Sequence, residues 1–295
     1  MSRIVLGMMR IESMSKEELT HLLEFALSKG ITKIDIADIY GGTRCESLLG
    51  EVFKDRFDLR QSFYLQTKVG ISLEGTGYDC SKDYILSHVN ACIERMQCGY
   101  LDCLLLHRPD IFMDNEEIGK AFWELEMSGT VRRFGVSNFN ASQIRYLSKK
   151  LRAPLVCDQV QLGLGNLTMV EQTFMTNVPS NKTSKEADDL FFYLKEHEIT
   201  IQCWSPFQAG FFEGSIFDWN RYPETNTALY NLAQKYQTSK CAIATAFLLA
   251  LTKDIEVVIG STNPAHIQEA IDGESIRLSK NDWYELYKAT GHFLP

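Results

Sequence analysis

The sequence predicts an α/β fold, a (β/α)8 TIM barrel that forms a single domain over residues 1–295. Three observations favour this fold: strand-like runs alternate with helical patterns, eight such runs can be found, and the chain length suits a barrel. An open, doubly wound parallel sheet is the competing architecture. It is disfavoured because no Gly-x-Gly-x-x-Gly segment follows the first strand-like run.

Short β-branched or apolar runs mark the predicted strands. They are residues 3–7, 32–37, 63–68, 101–107, 131–137, 155–160, 200–204 and 256–261. The stretches between them have helical periodicity, and residues 15–30 open with a serine and end on a glycine, as a capped helix does. Residues 81–96 and 116–129 follow the same plan. A C-terminal helix is predicted over residues 278–290.

Two predicted loops are longer than a usual strand-to-helix connection. Residues 163–185 follow the sixth strand and are rich in polar and turn-forming residues, whereas residues 205–226 follow the seventh and carry aromatic side chains. In a barrel both loops lie at the carboxyl-terminal face, where active sites are built. Because residues 163–185 also include apolar side chains, they are interpreted as a lid over a ligand or as a surface excursion packed elsewhere.

Composition and charge exclude several classes of partner. A net charge of −8 and a pI of about 5.4 give no general basic face for nucleic acid or for an anionic membrane. The eight cysteines form no Cys-x-x-Cys pair and no disulfide or metal-site spacing, as expected in a reducing compartment. No apolar run reaches membrane length. We therefore expect a cytoplasmic protein that is monomeric or a weak homo-oligomer.

Functional groups lie at the carboxyl ends of three neighbouring predicted strands. Asp35 lies near the end of the second strand and Tyr40 in the turn beyond it, while Lys68 ends the third strand and His107 the fourth. In a barrel these four groups would converge. A carboxylate inside an apolar strand needs a cation, and Lys68 is the nearest candidate. Taken singly, each residue also has an ordinary explanation, such as a solvated lysine or a hydrogen-bonded core histidine.

The chemistry that suits these four side chains is general-acid catalysis. A tyrosine is a poor acid near neutral pH, but an adjacent ammonium group is expected to lower its pKa, and the aspartate would keep that ammonium charged. The histidine could orient a substrate oxygen. The arrangement fits protonation of an alkoxide that develops from a carbonyl group. Such an alkoxide implies a hydride donor and hence a nicotinamide cofactor.

The remaining strand ends supply candidate cofactor contacts. These candidates are Ser137, Asn138, Gln159, Trp204, Ser205, Gly260, Ser261 and Thr262. The neutral groups after the fifth strand and at the end of the sixth suit a carboxamide, and the tryptophan could stack on a planar ring. The Gly-Ser-Thr segment leads into a helix opened by proline, where backbone N–H groups form a phosphate site. Each of these residue types is also common as a cap, turn or core residue.

The motifs resemble those of the aldo/keto reductase superfamily. The stretch DIADIYGGTRCESLLGE is similar to the family's Asp-x-Ala-x-x-Tyr-Gly signature, and TKVG, LDCLLLHRPD, GVSNF, DQV, WSPF and IGS…HIQEA follow in family order. The similarity covers nearly the whole chain and is strongest to the bacterial oxidoreductase branch with a short N-terminus. It implies a barrel that reduces an aldehyde or ketone with NADPH. It also implies Tyr40 as proton donor, Lys68 and Asp35 as its tuning pair, and His107 as the carbonyl-orienting residue.

Three positions depart from the family pattern. Asp158 stands where the family commonly has asparagine, Gln161 where a glutamate often follows, and His266 where an arginine usually contacts the adenosine 2′-phosphate. The resemblance implies NADP(H) as the preferred cofactor. A histidine is only partly charged near neutral pH, so NAD(H) is the alternative. The expected partner is a small-molecule carbonyl substrate. The predicted substrate pocket contains Met9, Phe139, Phe211 and Trp219.

Three other interpretations fit parts of the pattern. Lys68 could form a Schiff base in a lyase, although the cofactor motifs would then have no role. The chain could be a nicotinamide-binding regulatory subunit without significant turnover, although all four catalytic groups are present. A metal site from Asp35, Asp38 and His107 is disfavoured because the lysine's charge opposes a cation, so no metal is expected.

Overall fold

The computed structural model describes residues 2–72, 75–179, 187–209 and 213–295. Eight parallel strands form a closed barrel in chain order, so the predicted (β/α)8 architecture is confirmed. The strands are β1 (Ile4–Gly7), β2 (Lys33–Asp35), β3 (Tyr64–Val69), β4 (Cys103–Leu106), β5 (Phe134–Ser137), β6 (Cys157–Gln161), β7 (Thr200–Trp204) and β8 (Ile255–Ile259). The ends of the predicted strands differ from these by at most three residues.

Helices follow the strands along the chain. They are α1 (Lys16–Ser28), α2 (Arg44–Asp55), α3 (Phe57–Ser62), α4 (Lys82–Met96), α5 (Asn115–Met127), α6 (Ala141–Ser148), α7 (Thr168–Glu171), α8 (Leu190–Glu196), α9 (Pro223–Tyr236), α10 (Lys240–Leu249), α11 (Pro264–Asp272) and α12 (Lys280–Ala289). The last of these confirms the predicted C-terminal helix. Within the described residues, no helix combines the length and the apolar character that crossing a membrane requires.

Local sequence explains where several helices begin and end. The hydroxyl of Ser15 accepts a hydrogen bond from the Glu18 N–H at 3.1 Å, and the Glu18 side chain accepts one from the Ser15 N–H at 2.7 Å. Gly30 follows the end of α1 with a φ of 79°, a conformation that glycine adopts without strain. Helix α4 starts after Ser81 as predicted, but its left-handed C-cap is Gln97 instead of a glycine.

The contacts within the chain divide it into two compact units. The first comprises Met1–Gln159 with Gly260–Pro264, and the second comprises Val160–Ile259 with Ala265–Pro295. All eight cysteines are free and buried. A single domain over residues 1–295 stays a prediction.

In the first unit, the strand register aligns the polar residues inside the barrel. Asp35 of β2 lies level with Gln66 of β3, and Ser137 of β5 lies level with Gln159 of β6. Lys68 follows Gln66 by two residues, so both side chains point to the same face of β3. Asp35 and Ser137 end β2 and β5, and Lys68 is the last residue but one of β3, so these three groups lie near the carboxyl ends of their strands.

A glycine allows α2 and α4 to pack closely in the first unit. A Cβ atom added to Gly50 would lie 2.0 Å from the carbonyl oxygen of Arg95, so no larger residue fits there. This approach brings Glu46 of α2 to Arg95 of α4, whose Nε donates to Glu46 Oε2 at 2.7 Å. Thr67 of β3 donates to the other carboxylate oxygen at 3.1 Å, so the ion pair is fixed to the barrel.

In the second unit, β7 and β8 pair in parallel, with Ile201 level with Ile255. The long connection after β6 contains α7 and a short 3-10 helix, Gln172–Phe174, and does not run as a plain loop. Its side chains Leu167, Val170 and Met175 are buried. This packing favours the interpretation as a packed excursion. Residues 180–185 of the predicted loop lie outside the described residues.

Candidate active site

The first unit brings Asp35, Lys68 and Tyr40 into one hydrogen-bonded chain. Lys68 Nζ donates to Asp35 Oδ2 at 2.7 Å, to the carbonyl oxygen of Ile36 at 2.9 Å and to the Tyr40 hydroxyl at 3.2 Å. These three bonds match the three donors of an ammonium group. Asp35 and Lys68 are 2% and 0% exposed, so each charge is compensated by the other inside the protein.

Burial and charge together set the pKa values of Lys68 and Tyr40. Burial lowers the pKa of Lys68. The negative charge of Asp35 and the contact with Tyr40 raise that pKa by more than burial lowers it, so the net pKa lies above its ordinary value. Burial raises the pKa of Tyr40, and the charge of Lys68 lowers it by less. Lys68 thus lowers the tyrosine pKa as expected, but the net pKa lies above its ordinary value, because loss of hydration disfavours the phenolate more than the ammonium favours it.

His107 lies beside the tyrosine. Its ring meets the Tyr40 ring edge-on, with 6.1 Å between the centroids and 82° between the planes. Among the described residues, the buried Nδ1 of His107 has no hydrogen-bond partner. Burial, and then the charges of Lys68 and Arg108, hold the pKa of His107 well below its ordinary value. The imidazole is therefore neutral near pH 7, with one nitrogen able to donate and the other able to accept.

Gln66 belongs to the same group of side chains, and the sequence reasoning missed it. Its Nε2 donates to Asp35 Oδ1 at 2.7 Å, and Gln159 Nε2 donates to the same oxygen at 2.8 Å. The signal that could have found Gln66 is its spacing of two residues from Lys68 on a strand, which gives both the same face. Asp35 thus accepts hydrogen bonds from two amides and one ammonium group.

The residues predicted to hold a carboxamide are linked to one another. Ser137 Oγ and the Asn138 N–H both donate to the carbonyl oxygen of Gln159, at 2.7 and 3.0 Å. Asn138 Nδ2 donates to Ser137 Oγ at 2.9 Å and to the His107 carbonyl oxygen at 3.2 Å. The φ of Asn138 is 63°, in the left-handed region, which asparagine adopts more readily than most other residues with side chains. These amide groups beside Asp35 fit a carboxamide, which needs both donors and acceptors.

Two further carboxyl groups are buried in the first unit. Among the described residues, neither oxygen of Asp38 or Asp158 has a hydrogen-bond partner. Burial raises the pKa of Asp38 to about 7, and the charge of Glu46 adds to this rise while Arg95 opposes it. Burial also raises the pKa of Asp158 well above its usual range. A protonated Asp158 has nearly the shape of the asparagine that the family commonly has there.

The segment predicted to bind phosphate also lies in the first unit. Helix α11 begins at Pro264, so the segment Gly260–Thr262 immediately precedes a helix N-terminus, where backbone dipoles favour an anion. Arg10 Nη1 donates to the Gly260 carbonyl oxygen at 3.4 Å, which places a cation at this segment. The sequence reasoning missed Arg10. Its position just after β1 is the signal that could have found it.

Three predicted cofactor contacts belong to the second unit. Trp204 ends β7 and is partly buried, and Ser205 follows it with a φ of 49°. This left-handed conformation repeats what Asn138 shows after β5. His266 is exposed in the first turn of α11. Cofactor contacts of these three residues stay predictions.

The four predicted pocket residues have different environments. Met9 and Trp219 are 40% and 46% exposed, so both offer surface to a ligand. Phe139 is 1% exposed and belongs to the core, so it offers almost none. Phe211 lies outside the described residues. No three potential metal-ligating side chains gather in the part of the chain that the structure describes.

Comparisons with known proteins agree with this geometry. The model of the Aldo/keto reductase family matches residues 3–290. The uncharacterized oxidoreductase YcsN of Bacillus subtilis is 32% identical over 308 residues, covering 100% of this chain and 96% of its own. The 6-dehydroglucose reductase of Agrobacterium fabrum is 33% identical over 298 residues, covering 97% and 93%. A structure of an aldo-keto reductase from Klebsiella pneumoniae in complex with NADPH has the same fold, with a TM-score of 0.78, 20% identity and coverage of 97% and 90%.

Proposed function

The chain belongs to the aldo/keto reductase family, and on that premise we propose that it reduces the carbonyl group of a small aldehyde or ketone with NADPH. The observation that carries the proposal is the buried chain of hydrogen bonds from Asp35 through Lys68 to Tyr40. Relatives that match nearly the whole chain are named as oxidoreductases, which supports the same class of reaction.

Tyr40 is the proton donor in the proposed reaction. NADPH, when bound, would supply the hydride for the carbonyl carbon, and the Tyr40 hydroxyl donates its proton to the carbonyl oxygen, so that the product is an alcohol. The Tyr40 oxygen accepts a hydrogen bond from Lys68, so its own proton can be directed to the substrate. The raised pKa keeps Tyr40 protonated before the reaction, and the ammonium of Lys68 stabilises the tyrosinate that remains afterwards.

Asp35 and His107 complete the proposed machinery. Asp35 keeps Lys68 charged and fixes its position through the 2.7 Å contact. The neutral imidazole of His107 donates a hydrogen bond to the carbonyl oxygen and orients it toward Tyr40. Schiff-base chemistry at Lys68 is disfavoured, because that reaction needs a neutral amine. The raised pKa and the three hydrogen bonds of Lys68 both favour the charged form.

The residues that would hold the cofactor in the first unit fall into two groups. Gln159, with Ser137 and Asn138 beside it, is suited to the nicotinamide carboxamide. Segment Gly260–Thr262 at the start of α11 is suited to phosphate oxygens, with Arg10 as the accompanying cation.

Replacement of Tyr40 by phenylalanine tests the proton donor. Tyr40→Phe removes one hydroxyl group and little volume, so NADPH binding should persist while kcat falls by roughly 10²- to 10⁴-fold. Turnover is measured as the loss of NADPH absorbance with a panel of aldehydes and ketones. The panel includes 6-dehydroglucose, because a relative is named for reducing it.

Two results would contradict this assignment. Near-normal turnover of Tyr40→Phe with bound cofactor would remove Tyr40 as the acid. Wild-type protein that binds NADPH but turns over none of the panel would favour the regulatory-subunit interpretation. Tyr78→Phe is the matched control, since Tyr78 is an exposed tyrosine of the same unit and its replacement should leave kcat unchanged.

Cofactor preference is tested at His266. A contact between His266 and the 2′-phosphate should make His266→Ala weaken NADPH binding, because the phosphate then loses a hydrogen-bond donor. NADH lacks that phosphate, so its binding should change little in the same variant. His266→Arg should tighten NADPH binding at pH 8, because arginine is always charged and binds phosphate bidentately.

Dissociation constants of both cofactors, measured at pH 8 for wild type and for the two His266 variants, test this contact. Parallel changes for NADPH and NADH would exclude His266 as the phosphate contact. The control is His21→Arg, which alters an exposed histidine on α1 and should change neither constant.

A further inference from the structure

Two amide groups hold the same oxygen of Asp35. Gln66 Nε2 and Gln159 Nε2 lie 2.7 and 2.8 Å from Asp35 Oδ1, and all three residues are 2% exposed. Oδ2 is held separately by Lys68. A carboxylate oxygen can accept two hydrogen bonds, but one is enough to avoid an unsatisfied buried acceptor. Oδ1 therefore has one donor more than burial requires.

The two amides differ in their surroundings. Gln66 lies in the middle of β3, and its Oε1 accepts a weak hydrogen bond from the Cys157 thiol at 3.9 Å. A carboxylate only accepts, so this orientation fixes Nε2 toward Asp35. Gln159 is the third of the five residues of β6, and its main-chain carbonyl oxygen accepts hydrogen bonds from the Ser137 hydroxyl and the Asn138 N–H, which belong to the proposed cofactor contacts. Gln159 is thus placed to exchange a protein partner for a ligand.

We propose that Gln66 is a positioning residue that keeps Asp35 Oδ1 hydrogen-bonded when Gln159 turns its amide to the nicotinamide carboxamide. This inference rests on the proposed function. With Gln66 in place, the Asp35 carboxylate does not rotate as the cofactor binds. Asp35 Oδ2 therefore keeps its hydrogen bond from Lys68, and Lys68 keeps its hydrogen bond to the Tyr40 hydroxyl. Without Gln66, cofactor binding would remove the last donor from a buried carboxylate oxygen, which is costly.

A double-mutant cycle tests the exchange of partners. Methionine has nearly the volume of glutamine and no amide, so the variants are Gln66→Met, Gln159→Met and the pair together. The dissociation constant of NADPH is measured from its fluorescence. Gln66→Met should weaken NADPH binding about tenfold when Gln159 is present, the cost of one unsatisfied buried acceptor. In the Gln159→Met background, Gln66→Met should change the dissociation constant of NADPH less than twofold. The reason is that Asp35 Oδ1 has no hydrogen bond from residue 159 to lose when the cofactor binds.

The cycle separates positioning from a general structural role. Equal weakening in both backgrounds would mean that Gln66→Met merely loosens the barrel, and it would overturn the proposal. If Gln66→Met weakens NADPH binding in neither background, the proposal is also overturned. Gln159 would then be able to hydrogen-bond to Asp35 and to the cofactor at the same time. Adenosine 2′,5′-bisphosphate, which lacks nicotinamide, should bind wild type and Gln66→Met within twofold of each other. A tenfold loss for this probe would again overturn the proposal.

A crystal structure of the wild-type protein with NADP⁺ gives a measurement without any variant. The proposal requires Gln66 Nε2 within hydrogen-bond distance of Asp35 Oδ1 while Gln159 Nε2 faces the carboxamide. Gln159 still bonded to Asp35, or Gln66 turned away, overturns it even if Gln66→Met fails to fold. If wild type binds no NADPH, the proposed function and this inference fail together. If wild type binds NADPH and Tyr40→Phe loses turnover, absence of coupling in the cycle overturns this inference alone.

Discussion

Arg60 of α3 is a fully buried cation near the start of β3. Its guanidinium donates to three backbone carbonyls, those of Cys98, Phe63 and Tyr100, at 3.2, 3.0 and 2.7 Å. Its Nη2 lies 3.1 Å from Asp102 Oδ2. The guanidinium therefore supplies hydrogen-bond donors to three carbonyl oxygens that would otherwise lack these donors. Its positive charge is compensated by the Asp102 carboxylate.

Arg60→Met should destabilise the protein strongly. It leaves Asp102 without its buried partner and three carbonyls without donors, so the free energy of unfolding should fall by about 3 kcal/mol. Urea denaturation measures the change. Lys150→Met breaks an exposed pair with Glu116 and should alter the unfolding midpoint very little. Similar losses in the two variants would contradict the role given to Arg60.

The side chains of the candidate site were predictable where a strand end marks them. Asp35, Lys68 and His107 each stand at such an end, and a charged group in an apolar run attracts notice. Gln66 carries no charge and is marked in the sequence only by its spacing of two residues from Lys68, whereas its contact with Asp35 is seen only in the folded chain. The net pKa of Tyr40 depends on how many distant elements exclude water from it, and this is absent from the local sequence.

At the scale of elements, the C-terminal tail is tied to the segment after β6. Glu171 of α7 accepts hydrogen bonds from the Phe293 N–H at 3.0 Å and from His292 Nδ1 at 3.1 Å. The Tyr287 hydroxyl donates to the Phe293 carbonyl oxygen at 2.9 Å. Helix α7 has only four residues, so this tether and the buried apolar side chains around it hold the segment in place.

Glu171→Ala should release the tail and loosen the segment that contains α7. The Phe293 N–H loses its acceptor, so amide hydrogen exchange should quicken in residues 168–175 and 290–295 and remain unchanged in β1–β5. Mass spectrometry of exchanged peptides measures this. Glu196→Ala removes an exposed carboxylate from α8 and should leave the exchange of both segments as in wild type. Unaltered exchange in Glu171→Ala would show that the tether is dispensable.

The elements differ in how well the sequence predicts them. Most barrel strands lie within β-branched or apolar runs, so their ends were predicted to within three residues, although β2, β3 and β6 also carry polar residues. Helices of thirteen or more residues, such as α1 and α4, show periodicity and caps. Helix α7 is too short for either signal, so the segment that contains it was predicted as a loop.

For the molecule as a whole, stability should depend on pH through three buried groups of the candidate site. The pKa of Asp38 is raised from 3.8 to about 7, and that of Asp158 is raised well above its usual range. The folded chain therefore holds more protons than the unfolded chain, and stability falls as the pH rises. The lowered pKa of His107 acts oppositely, because unfolding then takes up a proton below about pH 6.5. Two carboxyl groups outweigh one imidazole between pH 6 and pH 8.

We therefore expect the melting temperature to be lower at pH 8 than at pH 6, by roughly 5 °C. In the double variant Asp38→Asn with Asp158→Asn, both carboxyl groups become neutral amides, so this decrease should disappear or reverse. Scanning calorimetry at both pH values measures it. Asp79→Asn with Asp83→Asn, which alters less buried carboxylates, is the control and should keep the wild-type decrease. A decrease that persists in the Asp38 and Asp158 variant would contradict the assignment.

Because all eight cysteines are buried, the reactivity of their thiols reports whether the chain is folded. Burial raises the pKa of Cys45 and Cys98 to about 11 and that of Cys80 and Cys241 to about 12. Aromatic disulfide reagents attack thiolates, and folded molecules present almost none to solvent. The number of thiols that react promptly, divided by eight, therefore gives the unfolded fraction of a preparation. Purified protein can be checked in this way before any kinetic experiment, without a dye or an activity assay.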